Sequence, residues 1–328
     1  MRVLVVCSYR IYVSDGIAPF IREQCASVAA LSADALEPMA LDALHLEKIE
    51  IEYYLLRGKG VTGYLRELPK LRKKIREYMP DVIHAHYGLS CLLANLATRR
   101  VPVVSTYHGT DINDSKVRRL SKMAIRMSAW NIFVSRKNMD LAGCGEGNKA
   151  SLIPCGIDDA LFKPMDKLNC RAQLGLQVDK KFVMFTKQFT NPIKNYPLAK
   201  AAVDLLTDVE LVEFKGYTRE ESVMLMNAVD AVIMTSFSEG SPQVIKEAMA
   251  CGCPIVSIDV GDVGERINGV DGCYLVRSRE PIDIAEALEK ALTFKGKTNG
   301  REKLIADGLT NKQVAERLVE IYSQILNR

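Results

Sequence analysis

Residues 230–252 hold the densest set of side chains that could carry out chemistry. They read DAVIMTSFSEGSPQVIKEAMACG, in which a buried strand runs to Thr235 and a polar loop leads into a helix over 242–251. Ser241 is a favoured N-cap and Pro242 a favoured first helical residue. Backbone N–H groups at such a helix start attract negative charge, which predicts an anion site suited to a diphosphate; an ordinary well-capped helix is the alternative. The N–H groups concerned are those of Ser241, Gln243 and Val244, and Gly240 and Pro242 belong to the same predicted binding loop.

Two carboxylates flank this predicted anion site, Glu239 in the loop and Glu247 in the helix. A carboxylate beside a bound anion repels it, unless the carboxylate accepts hydrogen bonds from hydroxyl groups of the same ligand. A nucleotide sugar supplies such hydroxyls, from its ribose on one side of the diphosphate and from its hexose on the other. A surface position on the helix is the alternative explanation for Glu247.

The elements that would position these residues alternate between strand and helix in both halves of the chain. Strands are predicted at 3–7, 49–55, 81–84, 101–106, 131–134 and 151–153, and then at 182–186, 210–214, 231–235, 254–258 and 273–276. Helices are predicted at 19–31, 64–78, 89–97 and 116–128, and then at 197–206, 219–228, 242–251, 281–292, 301–307 and 311–326. Short apolar strands with intervening helices predict an α/β fold with two doubly wound, Rossmann-like parallel sheets that face a cleft.

The predicted domains follow from this alternation and from a polar stretch that contains Pro164. The first domain covers 1–157, a linker that would act as a hinge covers 158–171, and the second domain covers 172–310. A C-terminal helix at 311–328 is expected to pack back toward the first domain. Open sheets of this kind bind ligands beyond the carboxyl ends of their strands.

Composition excludes several other classes of protein. With 328 residues, 48% of them hydrophobic and 26% charged, the chain is globular and too long for one core. No apolar run approaches the length of a membrane span. The nine cysteines show no CxxC pair, which favours buried thiols in a reducing cytoplasm over disulfides or a metal site. Neither first strand–helix turn carries GxGxxG, so a dinucleotide oxidoreductase is disfavoured.

Positive charge is concentrated in one stretch of the first half. The whole chain has a net charge of +4, but residues 51–150 contain 18 Lys and Arg against 8 Asp and Glu. Within it, 64–78 predicts an amphipathic helix with one basic face. That face is suited to anionic lipid head groups, and a solvated helix surface is the alternative. Nucleic acid is disfavoured, because no recognition module or aromatic stacking pattern accompanies the charge.

Several segments together resemble retaining GT-B glycosyltransferases of family 4. Glu239 and Glu247 form an E-x7-E pair followed by AMACG-P-IV, and HGTD at 108–111 resembles the family's HGxD turn. PCGID and FKP within 154–164 resemble its PNGVD…FxP interdomain connection. Lys187 and Lys194 stand where the family has an Arg and a Lys. The stretches NPIKNYPLAK and SFSEGSPQ are most similar to members that assemble capsular or exopolysaccharides.

The resemblance implies transfer of a sugar from a nucleotide sugar such as a UDP- or GDP-sugar, with retention and without a metal or other cofactor. The acceptor would be a saccharide or a lipid-linked saccharide, held by the first domain at the cytoplasmic face of a membrane. Lys194 and Lys187 would hold the diphosphate, Glu247 the ribose, and Glu239 the donor sugar. His108 would face the transferred sugar and act with Glu239 in catalysis. The remaining donor-binding residues would be Gly16, Asp111, Gly216 and Tyr217.

The chain departs from the family pattern at two places. Its first loop reads Ser14-Asp15-Gly16-Ile17 where the family often has a Gly-Gly pair, and only one strand fits between Leu198 and Tyr217. The second domain is therefore expected to be shortened near the nucleotide base. Two other functions stay open: a sugar-nucleotide 2-epimerase or hydrolase on the same fold, and a nucleotide-sugar-binding protein without catalytic activity.

Overall fold

The chain divides into two compact units, each with its own parallel sheet and core. A computed structural model describes residues 1–10, 13–31, 48–147 and 149–327. Unit 1 comprises Met1–Gly156 and Asn311–Arg328, and unit 2 comprises Ile157–Thr310. The chain therefore passes between the units twice, at 156–157 and at 310–311.

The sheet of unit 1 has six parallel strands. They are β1 (Arg2–Ser8), β2 (Glu50–Leu56), β3 (Val82–His86), β4 (Val103–Tyr107), β5 (Trp130–Phe133) and β6 (Ala150–Leu152). Their order across the sheet is β2-β1-β3-β4-β5-β6. Every residue of β3, β4 and β5 is buried, as expected for parallel strands that are covered on both faces. Among the described residues before 157, the helices are α1 (Pro19–Ala30), α2 (Gly60–Tyr78), α3 (Gly88–Ala97), α4 (Thr110–Asn113), α5 (Ser115–Met127) and α6 (Arg136–Ala142).

Unit 2 repeats this architecture with five parallel strands. They are β7 (Lys181–Phe185), β8 (Val209–Glu213), β9 (Ala231–Met234), β10 (Ile255–Ile258) and β11 (Cys273–Val276), in the order β11-β10-β9-β7-β8. Its helices are α7 (Lys167–Leu174), α8 (Tyr196–Val203), α9 (Arg219–Ala228), α10 (Gln243–Ala250), α11 (Val263–Ile267), α12 (Pro281–Thr293) and α13 (Gly300–Ala306), with a 3-10 turn at Pro192–Lys194. Only β8 lies between α8 and α9.

The C-terminal helix α14 (Asn311–Leu326) belongs to unit 1. Val314, Leu318 and Ile321 share one apolar core with residues of β1 and α1. The spacing of three and four residues places these side chains on one face of the helix. On the same helix, the Tyr322 hydroxyl lies 2.6 Å from Nδ1 of the buried His84, so the helix also completes the hydrogen bonding of β3.

The predicted two-domain, doubly wound α/β fold is confirmed, and the predicted linker at 158–171 is corrected. That stretch is part of unit 2, where Phe162 is fully buried and Arg171 Nη2 donates to Asp230 at 2.8 Å. The sequence contained a signal for α7 that the linker interpretation overlooked. Asp166 caps its N-terminus through its side chain, and Gly175 ends it in the left-handed conformation.

Three other short helices, α4, α6 and α11, were not predicted, because four to seven residues give too little periodicity to detect. None of the helices in the described part of the chain is long and apolar enough to cross a membrane.

Candidate functional site

Five charged side chains gather at the carboxyl edge of the unit 2 sheet, where parallel α/β sheets bind their ligands. Lys187 follows β7, Lys194 ends the 3-10 turn, and Glu239 lies in the loop after β9. Arg219 is the first residue of α9, and Glu247 lies within α10. We refer to Lys187, Lys194, Arg219, Glu239 and Glu247 as the charged cluster.

Lys194 and Glu239 form a direct ion pair within the charged cluster. Lys194 Nζ donates to Glu239 Oε1 at 2.5 Å, and about 15% of each side chain is exposed. The local sequence holds the backbone of Lys194 in place, because the Asn191 side chain caps the 3-10 turn and Pro192 occupies the first position of that turn. The Thr235 hydroxyl donates to the Lys194 carbonyl at 3.0 Å, which ties the turn to the end of β9.

Lys187 lies close enough to the other members to respond to their charges. Its pKa is lowered, first because the surrounding protein removes water from the ammonium group and then because of the positive charge of Lys194. Glu247 and Glu239 oppose this shift. The structure thus brings together Lys187, Lys194, Glu239 and Glu247, the four ionisable residues that the sequence singled out in this half.

Arg219 is a member of the charged cluster that the sequence did not predict. Its Nη1 atom donates to Glu247 Oε1 at 2.5 Å, and its guanidinium lies 4.5 Å from the centre of the Phe162 ring. Glu247 is only 5% exposed, so the pairing offsets the cost of burying its carboxylate. Arg219 is positioned by a capping box, in which Thr218 and Glu221 exchange hydrogen bonds at the start of α9. That box, visible as T-x-x-E, was the available signal.

The start of α10 differs from the prediction. The helix begins at Gln243, and Pro242 is its N-cap. Ser241, the predicted cap, instead donates a hydrogen bond from its hydroxyl group to Asp262 Oδ2 at 2.8 Å. The Asp262 N–H donates to the Gly240 carbonyl at 3.1 Å, so the loop after β10 clamps the loop after β9. Asp262 is buried, and this burial raises its pKa.

Gly261 is required for this clamp by its conformation and by its surroundings. Its φ is +58°, and a Cβ atom there would collide with the Gly240 carbonyl oxygen and press on the Glu239 side chain. The backbone at Gly261 therefore packs directly against the loop that carries Glu239. Sequence analysis did not single out Gly261, because the residues that it contacts lie on a different loop.

Two further features mark this edge of the sheet. Thr186 Oγ1 and Ser236 Oγ, which follow β7 and β9, are buried without a hydrogen-bond partner among the described residues. Arg279, which the sequence did not single out, donates to the carbonyls of Thr235 and Ser236 at 3.2 and 2.9 Å. Unpaired buried hydroxyls beside a fixed loop are groups that a bound ligand or water can satisfy.

Gly216 and Tyr217 lie after β8 at the same sheet edge. Gly216 adopts a φ of +80°, and the Tyr217 ring stacks on Phe214 with centroids 6.1 Å apart. These contacts stay within the β8–α9 connection. A role for this pair in binding the nucleotide stays a prediction.

Unit 1 contains a second set of candidate residues, the histidine cluster of His84, His86 and His108. His86 Nδ1 and His108 Nε2 lie 3.0 Å apart, and the rings of His84 and His86 stack with centroids 4.3 Å apart. His108 Nδ1 also lies 3.7 Å from Cys155 Sγ. Burial lowers the pKa of His84 to about 3 and that of His86 well below its usual value, so both rings are neutral.

His86 is the residue of this cluster that sequence reasoning undervalued. It is fully buried, and its Nε2 atom has no hydrogen-bond partner in the described part of the chain. Because a neutral imidazole has one donor and one acceptor nitrogen, the hydrogen bond between the two rings links the tautomer of His108 to that of His86. The signal was the H-x-H spacing in β3, since alternate residues of a strand share a face.

Asp111 organises the turn that carries His108. Its carboxylate accepts N–H hydrogen bonds from Gly88 at 3.0 Å, Gly109 at 2.9 Å and His108 at 3.1 Å, which joins the ends of β3 and β4. Burial raises the pKa of Asp111 to about 6, and the backbone donors oppose that shift. Both oxygens thus have partners within the turn, and the expected contact with a donor stays a prediction.

Gly16 lies in a tight loop after β1. Its φ is +76°, and a Cβ atom would collide with the Tyr9 ring, so only glycine fits. Its amide donates to Val13 and its carbonyl accepts from Arg10. The expected approach of a phosphate to Gly16 is untested.

No group of three or more His, Cys, Asp or Glu side chains among the described residues is arranged to hold a metal ion. The cysteines form no disulfide there, and seven of the nine are buried.

Both halves of the chain match models of known families. The model described as Glycosyltransferase Family 4 matches residues 28–161, and the one described as Glycosyl transferases group 1 matches residues 179–293. The putative teichuronic acid biosynthesis glycosyltransferase TuaC of Bacillus subtilis (strain 168) is 26% identical over 247 residues. That alignment covers 66% of this chain and 62% of TuaC, so the chain spans less than two thirds of that relative.

Solved structures share the fold over the full chain. Sucrose-phosphate synthase (tll1590) from Thermosynechococcus elongatus aligns over 100% of both chains with a TM-score of 0.79 and 18% identity. Anabaena Alr3699/HepE in complex with UDP and glucose aligns over 99% of this chain and 100% of its own, with a TM-score of 0.71 and 19% identity. At these identities the likeness concerns the fold alone.

Replacing Asp111 by Ala should lower the free energy of unfolding by about 3 kcal/mol, because three backbone N–H groups at the ends of β3 and β4 lose their acceptor. Asp114→Ala is the matched control. Asp114 caps α5 from an exposed position, and its loss should cost about 1 kcal/mol. Urea denaturation measures both values, and equal losses would show that the buried carboxylate does not organise the turn.

Gly261→Ala should destabilise the chain by about 2 kcal/mol more than Gly269→Ala. Both glycines have positive φ, but a Cβ at Gly269 meets no atom within 4 Å, so that variant reports backbone strain alone. Gly261→Ala should also displace the Glu239 loop. Thermal unfolding and nucleotide binding of the two variants test this, and identical behaviour would contradict the clamp.

Proposed function

We propose that this chain, which belongs to the GT-B glycosyltransferases of family 4, transfers a sugar from a nucleoside-diphosphate sugar to a saccharide or lipid-linked saccharide. The observation that carries the proposal is the charged cluster at the carboxyl edge of the unit 2 sheet. It combines three cations with two carboxylates beside the start of α10. A ligand that fits it carries negative charge and hydroxyl groups together, as a nucleotide sugar does.

The cations of the charged cluster would stabilise the leaving diphosphate. Negative charge builds up on the phosphate oxygens as the bond to the sugar breaks, and fixed positive groups in a water-poor site lower the energy of that state. Lys194 and Lys187 are assigned to the diphosphate, assisted by the N–H groups at the start of α10. We propose that these charges suffice without a metal ion.

The two carboxylates would orient the ends of the donor. Glu247, held by Arg219, is assigned to the ribose hydroxyls, and Glu239, held by Lys194, to the transferred sugar. Glu239 is ion-paired and is not assigned as a nucleophile; instead, the departing phosphate would take the proton of the attacking hydroxyl. Retention of configuration and a hexose donor rest on the motif resemblance.

Unit 1 would bind the acceptor. His108 is half-buried at the end of β4, with Phe20 and Tyr87 against its ring at centroid distances of 5.1 and 4.6 Å. Aromatic rings beside a polar imidazole form a surface on which a sugar ring can stack. We assign His108 to the transferred sugar, with neutral His86 as its positioning residue.

The membrane proposal concerns the basic surface of unit 1. On α2, Lys70, Lys73 and Lys74 each pair with a glutamate. The charge of this helix is then provided by Arg66, Arg72 and Arg76. Arg118, Arg119 and Lys122 on α5 add to it without ion pairs to carboxylates in the described chain. We propose contact with anionic lipid at the cytoplasmic face during surface polysaccharide assembly, a setting supported by the name of the relative TuaC.

A panel of UDP- and GDP-sugars, offered with and without saccharide acceptors, tests the function. A glycosyltransferase gives a sugar–acceptor product and only slow donor hydrolysis when acceptor is absent. Epimerised donor without acceptor would instead identify a 2-epimerase, and binding without any turnover would identify a binding protein. Proton NMR of the product reports its anomeric configuration.

Transfer should be unchanged after exhaustive treatment with EDTA, because the charged cluster supplies the positive charge that a metal would otherwise bring. The rate with and without added magnesium is the measurement. Loss of activity in EDTA that magnesium restores would contradict the proposed metal independence.

Lys194→Ala should weaken binding of the nucleoside diphosphate by about 10-fold to 100-fold, because a charged hydrogen bond is lost and Glu239 is left to repel the ligand. The effect of Lys187→Ala should be smaller, at about threefold, since much of the Lys187 residue is exposed although its ammonium group is partly desolvated, and since it forms no direct ion pair within the described cluster. Lys180→Ala is the control, because Lys180 pairs with Glu210 at the opposite sheet edge. Calorimetric titration measures all three, and equal affinities would reject the assignment.

A further inference from the structure

Unit 1 has a concave surface at the amino edge of its sheet, which we call the amino-edge groove. It has a volume of about 700 Å³, within the range of small-molecule sites. Its walls come from the turn before β4, the end of α5, Lys149 before β6, and the last turn of α14. β4 spans about 16 Å between this groove and His108, so the groove is separate from the histidine cluster.

The groove is lined by four cations and no acidic residue. The cations are Arg99, Arg100, Arg126 and Lys149. All four are exposed, and none forms an ion pair with a carboxylate within 1–10, 13–31, 48–147 or 149–327. On α2, by contrast, three lysines are paired. Unneutralised positive charge in a concave surface raises the local concentration of anions.

The backbone that carries these cations is held in place. Thr98 Oγ1 accepts hydrogen bonds from the N–H groups of Arg100 and Val101, both at 3.1 Å, which closes the turn that presents Arg99 and Arg100. Below it, the buried Asn95 side chain donates to Ser128 Oγ at 3.0 Å and joins the floor to the end of α5. A site formed in advance loses less entropy when a ligand binds.

One side of the groove is apolar. Met127 and Leu326 line it with 46% and 41% of their surface exposed, and Val101, Pro102 and Ile325 continue the same wall. Exposed apolar side chains beside a cationic wall can contact a ligand that has a charged group at one end and an apolar group at the other. The groove therefore differs from a simple patch for inorganic ions.

We propose that the amino-edge groove binds an amphiphilic phosphate, that is, a phosphate group attached to an apolar chain. Three of the four cations are arginines, whose planar guanidinium groups match phosphate oxygens with paired N–H donors. The apolar chain would lie against Met127 and Leu326. This proposal does not depend on the transferase activity, since no residue of the groove belongs to the charged cluster or the histidine cluster.

Calorimetric titration of the full chain tests the proposal with three soluble probes. Dihexanoyl phosphatidic acid, kept below its critical micelle concentration, should bind more tightly than glycerol 3-phosphate, which has the same phosphate group but lacks the acyl chains. Dihexanoyl phosphatidylcholine, in which the phosphate is neutralised, should not bind. Equal affinity for glycerol 3-phosphate and phosphatidic acid would show that the phosphate group alone is the ligand, and would reject the amphiphile.

Two variants locate the binding. Arg99→Glu/Arg100→Glu should weaken phosphatidic acid binding by about tenfold or more, while the matched control Lys290→Glu/Lys295→Glu, with the same charge change at exposed positions of unit 2, should not. Met127→Ser should weaken binding of phosphatidic acid but not of glycerol 3-phosphate.

Arg126→Gln provides a milder test should the double reversal prevent folding, which circular dichroism reports. Unchanged phosphatidic acid affinity in folded groove variants, or no detectable binding to the unmodified chain, would identify the four cations as an ordinary solvated surface and overturn the proposal.

Discussion

The charged cluster depends on one constraint, which is that each of its two carboxylates is largely removed from water and needs a cation beside it. An unpaired carboxylate in such a position is costly, whereas a paired and hydrogen-bonded one is tolerated. Lys194 comes from the 3-10 turn after β7, and Arg219 comes from the first residue of α9. Pairing with Glu239 and Glu247 therefore draws three strand–helix connections together at one edge of the sheet.

The same pairing determines which ligands that edge can accept. A lysine ammonium has three donors around one charge, so Lys194 can contact Glu239 and a phosphate oxygen together. Cations alone would bind any polyanion, and carboxylates alone would repel a diphosphate. Together they favour a ligand in which hydroxyl groups flank a diphosphate at both ends. The clamp from Asp262 and Gly261 keeps the Glu239 loop in position for that selection.

Sequence reasoning succeeded where the signal is local and failed where partners are distant in the chain. Buried strands are continuous apolar runs, so the two parallel sheets could be predicted, and Glu239 and Glu247 lie in one contiguous segment. Arg219 was missed because its partner lies 28 residues further on. Ser241 was assigned as a helix cap because the neighbouring sequence does not reveal its hydrogen bond to Asp262. Asp262 lies 21 residues further along the chain, on a different loop.

The helix pattern alone does not show which of the basic side chains in residues 51–150 stay without an acidic partner. The amphipathic helix α2 has the densest run of basic residues, yet Glu52, Glu67 and Glu77 neutralise three of its lysines. At the amino-edge groove, the cations come from two connections and from the last turn of α5, and no carboxylate of the described chain pairs with them. A count of charges along the sequence cannot separate these cases, because pairing depends on the side chains that folding brings together. Part of the unneutralised charge of unit 1 therefore lies at the sheet edge opposite the histidine cluster, where an anion can bind without competing for that site.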